Sequence, residues 1–232
     1  MRIFYVANVR IPTEKAHGVA IVKSCEAFAK ENVEVALVVP KRRTPFEESI
    51  FETYGVTKTS AVRFLPVIDL IGTNAGPFVF WLETFTFYGS LILFLLTKSR
   101  KTLIYTREPG FIFLRLLGFK AAFECHLIPK QRSFFFFLSR WASSIVVISQ
   151  ALRNAFVERG FSMGSILVAP SGVDLSIFDI QTSRDEARLM LDLPTDVRLA
   201  VYTGNFTTMG EDKGISDILQ ADRKSTRLNS SH

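Results

Sequence analysis

Apolar residues alternate along the chain between short unbroken runs and longer stretches with three-to-four-residue spacing. Ile3 to Ala7 is a run of the first kind, suited to a parallel strand buried on both faces. A loop with Pro12 and Gly18 follows, then a helix reaching about Lys30. Its apolar stripe is Gly18, Ile21, Val22, Cys25, Phe28 and Ala29, with Lys23, Glu26 and Lys30 opposite. Strands are expected at Val33 to Val39, Ala61 to Leu65, Thr102 to Thr106, Ala121 to Cys125, Ile145 to Ile148 and Ile166 to Ala169. Helices fit between them at Pro77 to Lys98, around Phe111 to Leu117, at Ser133 to Trp141 and at Gln150 to Arg159, with Gly160 at a helix C-terminus. Strands joined by helical crossovers give a doubly wound, Rossmann-like α/β domain with a parallel sheet covered on both faces.

The pattern changes after the segment from Pro170 to Asp174. Asp185 to Leu191 reads as a short helix, Pro194 to Asp196 as a turn, and Leu199 to Thr203 as the first strand of a second α/β domain. The expected organisation is a first domain over 1–176, a linker and opening of a second domain over 177–221, and a tail over 222–232. The tail, Asp222 to His232, has no periodicity and interrupts a helix begun by Ile215, Ile218 and Leu219. It looks like one reading frame of a common sequencing adapter, so the natural chain is expected to continue differently beyond Ala221.

Composition narrows the partners. The 232 residues carry 28 Lys+Arg against 22 Asp+Glu, a formal charge of +6. Without the three basic residues and one acidic residue of the tail this falls to +4. The basic cluster Lys41-Arg42-Arg43 lacks interleaved aromatics and reads as a solvated loop, so nucleic acid is not an expected partner. Cys25 and Cys125 form no CxxC or CxxH pair, and no third ligand accompanies Cys125 and His126, so no metal is expected. The apolar run at the amino terminus stops at Asn8, too short for a signal-peptide core, which makes the cytoplasm the default compartment.

Chemistry in such a sheet gathers at the carboxyl ends of the strands. The loop Asn8 to Gly18 leads into a helix N-terminus, where a small residue lets backbone N–H groups approach a phosphate. Arg107, with Glu108, follows a strand directly and could hold a phosphate or carboxylate, or form a surface Arg–Glu pair. His126, at the end of the next strand, could exchange a proton with a bound hydroxyl, or cap a loop. Lys213, before Gly214, could neutralise a diphosphate.

Together these segments resemble the retaining glycosyltransferases of GT-B fold, family 4. The strongest stretch runs from Ile145 to Gly160, IVVISQALRNAFVERG, and on through Ile166 to Asp174, ILVAPSGVD. The loop Ile11 to Gly18 and the pair of Gly204 and Lys213-Gly214 fit in order, so the likeness covers Met1 to Ala221. It implies transfer of a sugar from a nucleotide-diphosphate donor to an acceptor hydroxyl, with retention. The first domain would contact acceptor and the second the donor. By the resemblance, Gly18 lies near the donor phosphates, His126 contacts the transferred sugar, and Lys213 binds the diphosphate. His17 stands where the family often has an earlier glycine, and Asn205 where it often has an arginine. His17, Arg107 and Glu108 are the candidate substrate contacts. The family's paired glutamates would lie beyond Ala221, so this chain alone is expected to transfer little or no sugar.

Two rivals use the same fold: a non-catalytic module that holds an acceptor or lipid, and an epimerase acting on the nucleotide sugar. Mean hydropathy of +0.23 and 22 Phe also raise contact with a membrane. Phe78 to Leu96 carries one charge, Glu83, and is long enough to span. Lying between two strands of one sheet, it is expected instead to be a crossover helix whose surplus apolar face, with Ser133 to Trp141, could rest on the inner face of a membrane. A lipid-linked acceptor would suit that contact.

Overall fold

The computed structural model describes residues 1–57, 60–70, 77–204, 206–208 and 211–221. The chain divides into two compact units, Met1–Gly172 and Val173–His232. The first holds seven strands: β1 (Arg2–Val6), β2 (Glu34–Pro40), β3 (Ala61–Leu65), β4 (Leu103–Thr106), β5 (Lys120–Cys125), β6 (Ser144–Val147) and β7 (Ile166–Val168). They form one parallel sheet in the order β3-β2-β1-β4-β5-β6-β7. The order reverses direction between β1 and β4, which makes their carboxyl ends the topological switch point.

Helix α1 (Ala16–Lys30) covers one face, where Ile21, Val22 and Cys25 meet Tyr5, Leu37 and Tyr105. The short helix α2 (Ile50–Thr53) packs on the same core through Ile50. It was not anticipated from apolar spacing, because it is a single turn set by a capping box between Ser49 and Glu52. Glu26, expected on the polar side of α1, is buried. Its carboxylate accepts from the Thr57 N–H at 2.9 Å and faces Lys23 and Lys30.

The other face carries α3 (Pro77–Leu96), a 3-10 helix (Pro109–Leu117), α4 (Arg132–Ser139) and α5 (Gln150–Val157). Along α3, Val79, Glu83, Phe87, Leu91 and Leu95 recur every fourth residue and are all buried, the spacing of a single helix stripe. Phe80, Trp81, Phe85, Leu93 and Leu96 point away and are exposed. Val79–Leu96 is long and apolar enough to cross a membrane by length and composition, yet it is the crossover between β3 and β4 and packs on the sheet. In the Phe134 to Phe137 run, Phe135 and Phe136 are buried against Phe123 and Phe156, while Phe134 and Phe137 are exposed. Buried Phe residues are thus shared between two cores, Phe4, Phe87, Phe111 and Phe119 beneath α3 and Phe123, Phe135, Phe136 and Phe156 beneath α4 and α5. The segment at Phe111 to Leu117 is a 3-10 helix rather than an α-helix, closed by Gly118 at φ 87°.

The second unit contains α6 (Leu175–Phe178), α7 (Arg184–Met190), a two-strand antiparallel ladder of β8 (Thr207–Thr208) and β9 (Glu211–Asp212), and helical turns over 215–221. Leu199 to Thr203, expected as a strand, is not one: no described segment pairs with it, and a strand exists only through its ladder. The tail over 222–232 and Asn205 lie outside the described residues.

Candidate functional site

The switch point brings two polar clusters together at the sheet's carboxyl edge. The first grows from β4 and β5. Their register sets Thr106 opposite Phe123, so Arg107 and Glu124 follow side by side. Arg107 Nη2 lies 2.9 Å from Glu124 Oε1, and His126 Nε2 lies 2.5 Å from the same oxygen. Tyr5 donates to Glu124 Oε2 at 3.5 Å, and Tyr105 also bonds this carboxylate. Glu124 is 8% exposed. Burial pushes its acidity toward the neutral form, but hydrogen bonds from Arg107 and His126 and the Arg107 charge outweigh that and hold it below the usual carboxylate range. Burial, with the Glu124 charge, raises both Tyr5 and Tyr105 far above an ordinary phenol, so both remain donors. His17, in the first turn of α1, lies near enough to sense Arg107. Desolvation, then Lys15 and Arg107, lower its proton affinity against the pull of Glu14.

The second cluster surrounds Glu108. Its carboxylate accepts from the Asn8 backbone N–H at 2.6 Å, and its own N–H donates to Thr106 Oγ1 at 3.1 Å. Arg42 donates to Asn8 Oδ1 at 2.8 Å and clasps Glu83 with two bonds of 2.7 and 2.6 Å. Asn8 Nδ2 completes the set by donating to Thr84 at 3.3 Å. Burial pushes Glu108 up to about 7, against the Asn8 hydrogen bond and the Arg42 charge and with help from Glu83. The expectation that Lys41-Arg42-Arg43 is a solvated loop fails at Arg42: Glu83 is fully buried, and a buried carboxylate requires a partner. The lone charge in an apolar helix was the signal for that partner.

The Arg–Glu surface pair suggested by Arg107 and Glu108 is likewise corrected. Arg107 takes Glu124, from the neighbouring strand, and Glu108 turns to Asn8. Gly18 is buried where an added Cβ would fall 2.5 Å from both Thr13 Cγ2 and the Tyr54 hydroxyl. Tyr54 in turn grips the β1 loop, accepting from Thr13 N–H at 2.6 Å and donating to Thr13 O at 2.9 Å. The missing side chain at Gly18 therefore lets helix, loop and Tyr54 close together. Lys213 belongs to the second unit, where it is exposed and its N–H bonds Phe206 O at 3.1 Å. Among the described residues, no three His, Cys, Asp or Glu converge as metal ligands.

A doubly wound parallel sheet with polar side chains gathered at its switch point is a Rossmann-like α/β fold. Comparison with family models gives no match, and comparison with curated proteins gives none. Solved structures do match in fold. HepE of Anabaena in complex with UDP-glucose aligns over 83% of this chain and 50% of its own, at 14% identity and a TM-score of 0.51. HepE in complex with UDP aligns over the same shares at 13% identity and 0.53. The lipopolysaccharide outer core galactosyltransferase WaaB, in its apo form, aligns over 75% of this chain and 47% of its own, at 11% identity and 0.52. The chain spans about half the length of these structures.

Proposed function

We propose that this chain supplies the acceptor side of a retaining glycosyltransferase that moves a sugar from a nucleotide-diphosphate donor to an acceptor hydroxyl. The observation that carries the reading is His126, held by Glu124 at the carboxyl end of β5 beside the switch point, in a fold shared with HepE and WaaB. HepE was solved with UDP-glucose, which favours a uridine nucleotide as the first donor to try. Departure of a diphosphate and growth of positive charge on the sugar need donors and charge from both walls of a closed cleft. Arg107, His126 and His17 are the candidates for this role in the first unit, and Lys213 of the second unit is assigned to the diphosphate. The single chain is therefore expected to bind ligand without appreciable transfer.

Amide NMR of the chain, titrated with UDP, UDP-glucose and simple sugars, tests the reading. Shifts confined to Asn8, the loop to Gly18, Arg107, His126 and Lys213 are expected. Shifts at the opposite edge of the sheet, or none with any nucleotide sugar, would count against it. Retention is checked by the anomeric configuration of any transfer product.

The exposed group Phe80, Trp81 and Phe85, with ring centroids 6.0 Å apart along the row, suggests that the acceptor is lipid-linked. Exposed Lys130 and Arg132, beside Phe134 on α4, would favour an anionic bilayer at the cytoplasmic face.

A further inference from the structure

If His126 contacts the sugar, as proposed above, one of its two ring nitrogens must do so, and the side chains around it distinguish them. Glu124 Oε1 sits 2.5 Å from Nε2 and also 2.9 Å from Arg107 Nη2. The Glu124 side chain is 10% exposed, that of Arg107 19% and that of His126 36%, so the chain of contacts runs from the interior outward. An ionised carboxylate only accepts hydrogen bonds. Nε2 must then carry the hydrogen in the neutral ring, and Nδ1 keeps the lone pair. Among the described residues no partner is seen for Nδ1.

We infer that Glu124 is a positioning residue: anchored by Arg107, it fixes the His126 ring with Nε2–H bound inward and leaves Nδ1 as the atom that meets a sugar hydroxyl. A carboxylate behind a histidine sets both tautomer and ring orientation, as it does behind histidines that bind metals. Tyr5 and Tyr105 hold the same carboxylate from the β1 and β4 side, so Glu124 cannot swing to follow the ring. Arg107 makes this contact through Nη2.

The test reads the ring itself and needs no turnover. In long-range proton–nitrogen NMR of the ¹⁵N-labelled chain near neutral pH, His126 is expected to show one downfield ring proton attached to Nε2. His126→Gln assigns that signal by removing it. In Glu124→Gln the acceptor is neutral, so the proton should move upfield. In Glu124→Ala it should exchange with water at least about tenfold faster, the loss expected for a charge-assisted bond. Backbone amide spectra establish that each variant is folded; should both fail to fold, the tautomer of the parent chain alone decides. A proton on Nδ1, or a signal unmoved by Glu124→Gln, overturns the inference. A ring that behaves as expected in a chain that shows no shift with any nucleotide sugar overturns the transferase reading alone.

Discussion

Glu108 is the residue whose environment has the clearest consequence for stability. In the unfolded chain its carboxyl releases its proton near 4.5, whereas burial holds the proton in the folded state up to about 7. The folded state binds more protons across that window, so its contribution to stability falls as pH rises from about 4.5 to about 7. Glu108→Gln keeps an oxygen for the Asn8 N–H and removes the titration. The variant is expected to be more stable than the parent above pH 7, by up to roughly 3 kcal/mol, with the gap closing toward pH 4.5. Urea unfolding at pH 5 and pH 8 measures this, and a difference independent of pH would refute it. The same residue shows what the sequence could and could not convey. Arg107, Glu108 and His126 are legible as polar groups just past strand ends. His126 takes its partner from two residues back on its own strand, but the partners of Arg107 and Glu108 are chosen by register between strands: Glu124 reaches Arg107 only once Thr106 is set against Phe123. Glu83 and Arg42, 41 residues apart, meet only when the crossover helix lies down on the sheet.

At the scale of elements, most of the first unit was legible, since runs of Val, Ile and Leu buried on both faces leave little ambiguity. Each of the seven expected strands forms, with ends moved by a residue or two. What apolar spacing missed depends on local hydrogen bonding or on pairing. α2 needed its capping box, the segment from Pro109 tightened into a 3-10 helix, and Leu199 to Thr203 joins no ladder among the described residues. The junction of the β1 loop with α1 is the element contact most sensitive to a single atom. Gly18→Ala places a methyl 2.5 Å from Thr13 Cγ2 and from a Tyr54 hydroxyl already tied to both polar groups of the Thr13 backbone. It should cost about 1–3 kcal/mol, as overpacking does. It should also displace the loop that carries Asn8. Thermal or urea unfolding gives the cost, and an unchanged midpoint would mean that Tyr54 yields freely.

At the scale of the first unit, surface apolarity concentrates on one side of the sheet. Phe80, Trp81, Phe85 and Leu93 of α3 and Phe134 and Phe137 of α4 are exposed on the face that also carries Lys130 and Arg132. The chain is expected to sediment with anionic vesicles in a salt-sensitive way. Replacing Phe80, Trp81 and Phe85 together by Ser should weaken that binding by more than about tenfold, given the area each ring would bury. Trp81 emission should shift to the blue on vesicles. Binding that is absent, or indifferent to the triple substitution, removes the membrane contact.

The switch point also governs how the molecule is made. β1 is an interior strand of the sheet, yet the neighbour that closes its second edge begins with Leu103 opposite Ile3, one hundred residues further along the chain. At about 5–20 residues per second, a ribosome needs roughly 5–20 s to deliver it. For that interval β1, β2 and β3 form a half-sheet with an open edge, and the apolar α3 emerges before β4 is there to receive it. Asn8 and Glu108 meet only when that edge closes. The crevice thus cannot take shape before β4 emerges, and the half-sheet that precedes it is the stage most exposed to mispairing with another nascent chain.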